Sequence, residues 1–291
     1  MYPVSTLLDQ LLSLLELERI EINLFRGKNW DIGSKNVFGG QVLGQALVAA
    51  GNTVEGRNVH SLHGYFLRPG DKQVPIVYEV DRIRDGGSFT TRRVVAIQHG
   101  KAIFSMSASF QKPEEGVHHQ IDMPPVPGPD NLRSEREARL AIAHHLPEDQ
   151  REFFVKERPI EMRPVSPDDL LSNEKKAPQQ MFWLRANGKL NDNVPLHQAL
   201  LAYTSDFYFM GTAMRPHGLT FATPGMQAAS LDHAMWFHGE FRMDDWLLYV
   251  MESPASSHGR GLNIGRIYRA DGVLVASCAQ EGLMRLHQEK K

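Results

Sequence analysis

The chain states nearly the same pattern twice, and that duplication limits what it can fold into. Gly44-Gln45-Ala46-Leu47-Val48-Ala49-Ala50 is echoed by His197-Gln198-Ala199-Leu200-Leu201-Ala202-Tyr203, 153 positions later. Ser61-Leu62-His63 returns as Ser230-Leu231-Asp232-His233 after 169 positions, and Tyr78 as Tyr249 after 171. The turn signal His99-Gly100-Lys101 returns as Asp271-Gly272-Val273 after 172. The offset grows because the second copy carries a longer loop behind its helix. A polar residue present in only one copy cannot be explained by the shared scaffold, so that asymmetry is where chemistry is sought.

Each copy reads in the same order. Phe38-Gly39-Gly40-Gln41 opens an apolar helix that ends near Gly51, followed by strands at 60–67, 75–83, 89–98 and 102–111. Arg84-Asp85-Gly86-Gly87 and His99-Gly100 supply turns between them. In the second copy, a strand at 180–185 precedes a helix at 195–209 and strands at 226–237, 246–253, 259–269 and 273–285. A leucine-rich helix is expected over 5–18, with Ser5 as its cap, and one or two strands over 19–33. Prolines 113, 124, 125, 127 and 129 mark a linker, because proline cannot donate to a sheet ladder. Charged helices are expected in that linker at 133–145 and near 148–156. The predicted division is a first unit at 1–111, a linker at 112–158 and a second unit at 159–291, with segregated helices and antiparallel strands of the α+β class.

At 291 residues, two fused units of ordinary size are expected. A net charge of −2 with no basic stripe argues against a nucleic-acid partner. The single cysteine, Cys278, excludes an intramolecular disulfide and a multi-cysteine metal site. No signal peptide, membrane span or peroxisomal tripeptide is read, so a cytoplasmic location is expected.

The copies differ at informative positions. On the last strand, the face Ala102, Phe104, Met106, Ala108, Phe110 becomes Leu274, Ala276, Cys278, Gln280, Gly282, so Gln280 replaces an alanine on an apolar face. A buried amide is costly unless its donors and acceptors are used. It is either a satisfied core glutamine or a group that holds a substrate carbonyl or a water. On the second helix, Asp206 falls on the stripe Leu196, Ala199, Leu200, Tyr203, Phe207, Met210, where the first copy has Thr53. A carboxylate there should have a raised pKa, toward the range of a general base; the alternative is a loop cap or an arginine partner. Ser230 is weak on its own, because Ser61 stands at the matching place. No G-x-S-x-G elbow exists, and Gly51-Asn52-Thr53-Val54-Glu55-Gly56-Arg57 lacks the P-loop lysine. His233 and His238 lie five apart on a predicted strand and make a poor metal pair.

Four stretches carry a family resemblance: Val37-Phe38-Gly39-Gly40-Gln41-Val42-Leu43-Gly44-Gln45-Ala46, His63-Gly64-Tyr65-Phe66-Leu67-Arg68-Pro69-Gly70-Asp71, Leu231-Asp232-His233-Ala234-Met235-Trp236-Phe237-His238, and Gly272-Val273-Leu274-Val275-Ala276-Ser277-Cys278-Ala279-Gln280-Glu281-Gly282. Over nearly its whole length the chain resembles the type II acyl-CoA thioesterases, the TesB-like family. The resemblance implies a double hotdog fold, two antiparallel sheets each wrapped around an apolar helix. It implies hydrolysis of acyl-CoA to a fatty acid and coenzyme A, with no metal or other cofactor, and assembly to a homo-oligomer, dimer or tetramer. The family's aspartate, threonine or serine, and glutamine carry over to Asp206, Ser230 and Gln280, which orient and activate a water. Serine here keeps the hydroxyl and loses the methyl. Backbone N–H groups at Gly39 and Gly40 are candidate oxyanion donors at a helix N-terminus, or these glycines simply make a tight turn. Two rivals remain: an enoyl-thioester hydratase or dehydratase using Asp232 and His233, and a catalytically silent acyl-CoA binder.

Overall fold

A computed structural model describes residues 6–145, 148, 151, 155–166, 174–221 and 223–287. Helix α1 (Leu7–Leu15) buries Leu8, Leu11, Leu14 and Leu15. Its cap is Thr6 and not the expected Ser5, which lies outside the described residues. The Thr6 hydroxyl accepts from the Asp9 N–H while the Asp9 carboxylate accepts from the Thr6 N–H, a reciprocal capping box. Strands β1 (Glu18–Glu21) and β2 (Leu24–Gly27) lead to helix α2 (Gly39–Gly51). Strands β3 (Asn58–Phe66), β4 (Ile76–Asp85), β5 (Phe89–Gln98) and β6 (Lys101–Gln111) complete the first half. His99 and Gly100 both take positive φ, 50° and 69°, which gives the β5–β6 hairpin the twist its strands require.

In the linker, α3 (Glu135–Ile142) is shorter than expected and is capped by Ser134. The helix expected near 148–156 falls largely outside the described residues. Strand β7 (Ile160–Pro164) lies where no strand was expected, with Pro159 before it and Pro164 as its last residue. It is an edge strand on β8 (Gln179–Ala186), where proline is tolerated. Then follow α4 (Val194–Ser205), a one-turn α5 (Gly211–Met214), β9 (Met226–Ser230), β10 (Asp232–Phe237), β11 (Leu247–Ser257), β12 (Arg260–Arg269) and β13 (Leu274–Leu286). The helix expected to reach 209 stops at Ser205, and the chain turns through Tyr208 at φ 60°. The strand expected over 226–237 is broken at Leu231: β9 pairs only with β13, whereas β10 pairs with β13 and β3.

The described strands join one antiparallel sheet in the order β1-β2-β4-β5-β6-β3-β10-β13-β12-β11-β8-β7, with β9 off this path and paired to β13. The order on one side of the β3–β10 seam mirrors the other, so the two halves are related by a pseudo-twofold. At the seam, Asp232 lies opposite Tyr65 and Trp236 opposite Ser61. The sheet wraps the two apolar helices, which lie against each other at its centre. This is the α+β double hotdog arrangement. Glycines set the helix contact: a Cβ at Gly40 would stand 2.2 Å from the Tyr203 carbonyl oxygen. No described helix is long and apolar enough to cross a membrane.

Candidate active site

The pseudo-twofold brings the C-terminus of α4 against the N-terminus of α2. Asp206, the residue that ends α4, therefore meets the first turn of α2. Its carboxylate accepts the Gly40 N–H at 2.9 Å and the Gln280 Nε2–H at 2.6 Å. The Ser230 hydroxyl lies on the same side, 3.2 Å from Gln280 Nε2, and helps to lower the pKa of this carboxylate. Asp206 is half-buried, and desolvation raises its pKa above the usual carboxylate range, against the lowering effect of the Gln280, Gly40 and Ser230 hydrogen bonds. Only glycines fit opposite it, since a Cβ at Gly39 would lie 2.7 Å from Asp206 Oδ2.

Gln280 is completely buried. Besides Asp206, its Nε2 reaches Ser230 Oγ at 3.2 Å and His233 Nδ1 at 3.2 Å, while its Oε1 has no partner among the described residues. The three residues singled out in the sequence thus converge. The two glycines do not play equal parts. The Gly40 N–H, expected to face an oxyanion, is already donated to Asp206. The Gly39 N–H, first in α2, has no partner among the described residues.

Sheet register corrects the sequence pairing of the two copies. Arg92 lies opposite Ala108, and Asn263 opposite Gln280. Val59 lies opposite Phe110, and Ser230 opposite Gly282. The counterpart of Ser230 is therefore Val59, not Ser61, and the hydroxyl is as asymmetric as Asp206 and Gln280. Two further polar residues were missed by the copy comparison. His233, next to Ala234 in the β10–β13 register, takes the place of Leu62; both are buried. Asn263 is fully buried in the place of Arg92, and its Oδ1 has no partner among the described residues. Correct alignment of the strands would have revealed both.

The Asp232–His233 pair does not form a site. As strand neighbours they face opposite sides of the sheet. The Asp232 carboxylate accepts the Glu281 N–H, and His233 is buried, with a pKa pushed down to about 3 by desolvation. Beside the Asp206 cluster, Tyr203 of α4 and Phe207 just beyond it line a largely apolar cleft, open to solvent, with Trp30, Ile160, Met162 and Arg158 on its other walls. Phe38, at the entry to α2, packs on both aromatic rings, with centroids 5.3 and 4.6 Å away.

Residues 27–111 match the acyl-CoA thioesterase N-terminal domain, and residues 149–283 match the acyl-CoA thioesterase family. The chain belongs to the acyl-CoA thioesterase family. It is 46% identical to acyl-coenzyme A thioesterase 8 of Mus musculus over 285 residues, covering 94% of this chain and 88% of that protein. The crystal structure of acyl-CoA thioesterase II TesB2 from Mycobacterium marinum is similar at 43% identity, with 97% and 99% of the two chains covered and a TM-score of 0.79. A hot dog fold protein from Alicyclobacillus acidocaldarius, at 19% identity and a TM-score of 0.76, has 98% of this chain and 100% of its own covered, and carries the fold alone. Within this thioesterase, Asp206, Ser230 and Gln280 all come from the second half, and the first half contributes the α2 N-terminus.

Proposed function

We propose that the protein hydrolyses acyl-CoA to a free fatty acid and coenzyme A, with Asp206 as general base and Ser230 and Gln280 as the groups that hold the attacking water. The observation that carries this reading is the meeting of a half-buried, desolvated carboxylate with a hydroxyl and an amide that the first half lacks. Water attacks the thioester carbon as its proton passes to Asp206. The tetrahedral oxyanion faces the N-terminus of α2, where the Gly39 N–H is the available donor. Collapse breaks the C–S bond, and the Asp206 proton passes to the departing thiolate. General-base help is worth roughly 10²–10⁴-fold, and an oxyanion donor roughly 10²–10³-fold. Gly40 holds Asp206 in place, and the cleft beside Tyr203 and Phe207 takes the acyl chain.

The same reading divides the chain into units at 1–111 and 159–291 with a linker between them, and places a dimer or tetramer of it in the cytoplasm. The buried thiol of Cys278 and the family resemblance support this. Thiol release from palmitoyl-CoA tests the chemistry. Asp206→Asn is expected to lower kcat by about 10²-fold or more with KM nearly unchanged, and full turnover by that variant would refute the base. A burst of coenzyme A with an acylated Ser230 would replace the water mechanism with a covalent one.

A further inference from the structure

His233 lies behind Gln280, one step removed from the carboxylate. Gln280 Nε2 faces the Asp206 carboxylate, an acceptor when ionised, at 2.6 Å, so the amide NH₂ stands on that side. His233 Nδ1, 3.2 Å from the same nitrogen, is therefore an acceptor. The ring hydrogen then lies on Nε2, which meets the Ser205 hydroxyl at 2.9 Å, and that hydroxyl has the Ala202 carbonyl at 2.9 Å and Met235 Sδ at 3.3 Å as its own acceptors. One N–H of the amide thus serves Asp206, with Ser230 alongside, and the other serves His233. The opposite amide oxygen has no partner among the described residues, so no described protein group on that side opposes rotation, and this oxygen is the part of the amide left to accept from the water. In the first half the equivalent position is Leu62, and no amide stands beside it.

We infer that His233 is a positioning residue that locks the Gln280 amide in one orientation throughout the catalytic cycle. The inference rests on Asp206 being the base. While Asp206 is ionised, its charge alone keeps the amide NH₂ facing it. Once Asp206 has taken the water's proton, its hydroxyl can donate, and a free amide would turn its oxygen toward it. That bond would stabilise the protonated acid and slow return of the proton to the thiolate. With His233 in place, the turned amide would set its oxygen against the Nδ1 lone pair, two acceptors face to face. The imidazole stays neutral across the working range, with a pKa near 3 from burial. The other titratable groups around Asp206 are neutral there too. Burial pushes Cys278 up to about 12 and raises Tyr203 and Tyr249 above the ordinary tyrosine value. The acid limb of the pH profile therefore reports Asp206.

The test compares pH profiles of kcat and kcat/KM for palmitoyl-CoA hydrolysis. His233→Leu, the residue of the first half, is expected to lower kcat about tenfold or more, with KM within about twofold, and to move the acid limb to higher pH. His233→Asn returns an acceptor oxygen near the place of Nδ1 and is expected to restore most of the rate and the limb. If His233→Leu does not fold, Ser205→Ala, which frees the ring at Nε2, is expected to move the limb in the same direction by less. An unmoved limb with native kcat in His233→Leu, or in Ser205→Ala where that variant stands in for it, overturns the inference. An equal loss in His233→Asn and His233→Leu overturns it as well. Asp206→Asn assayed in parallel separates the two readings: full turnover there removes the base itself, whereas an inactive Asp206→Asn beside a native His233→Leu removes only the lock.

Discussion

Asp206 is held by hydrogen bonds that favour its charged form and by burial that disfavours it more. Its raised pKa makes a statement about stability. A carboxylate with a folded-state pKa above the unfolded value of 3.8 contributes stability in full below that value and loses it as pH rises through the folded pKa. The melting temperature of the native protein, relative to Asp206→Asn, should therefore rise as pH is lowered from 8 toward 4. A constant difference across that range, measured by calorimetry, would show that the carboxylate is not desolvated. At the same scale, the sequence exposed Asp206 and Gln280 because both interrupt apolar faces. It undervalued Ser230, because the repeated Ser-Leu pair matches Ser230 with Ser61 at an offset of 169, whereas the strands pair at the offset of 171 that Tyr78 and Tyr249 share.

At the scale of elements, the decisive contact is helix against helix. Gly40 lies where α2 crosses α4, and an alanine Cβ there would meet the Tyr203 backbone at 2.2 Å. In an isolated helix this exchange is favourable by about 1 kcal/mol. Here the overpacking should exceed that, leaving Gly40→Ala destabilised by about 1–2 kcal/mol and lowering kcat, since the N–H that holds Asp206 moves. Urea denaturation and thiol release together check the two effects. The linker adds a second brace. Glu135 at the start of α3 is buried, pairs with Arg158 at 2.8 Å and receives the Tyr208 hydroxyl, two residues beyond Asp206. Removing one member of a buried ionic cluster strands the others, so Glu135→Ala should cost about 3 kcal/mol, read as a lower urea midpoint.

At the scale of the whole molecule, the two halves have diverged into one that carries chemistry and one that is sealed. Where the second half has Asn263 and Asp206, the first has Arg92 and Thr53. The buried Arg92 guanidinium donates to the Thr53 hydroxyl at 2.8 Å, the Thr53 carbonyl at 3.1 Å and Asp85 at 2.6 Å, filling the space with satisfied hydrogen bonds. Arg92→Leu should lower stability by about 1–3 kcal/mol while leaving kcat within about twofold of native. A large loss of turnover in the folded variant would show that the first half takes part in the chemistry beyond the α2 N-terminus.

The duplication, the two apolar helices, most strands and the α+β class follow from the sequence alone, because periodicity and turn residues are local properties. The intrusion of Asp206 and Gln280 into apolar stripes is equally local. Strand register is not local. It is set by backbone pairing between strands distant in the chain, and it alone decides that His233 and Asn263 flank Gln280. Only the antiparallel seam of β3 and β10 carries the end of α4 to the start of α2, so the Gly40 N–H that holds Asp206, 166 residues away, belongs to the tertiary structure.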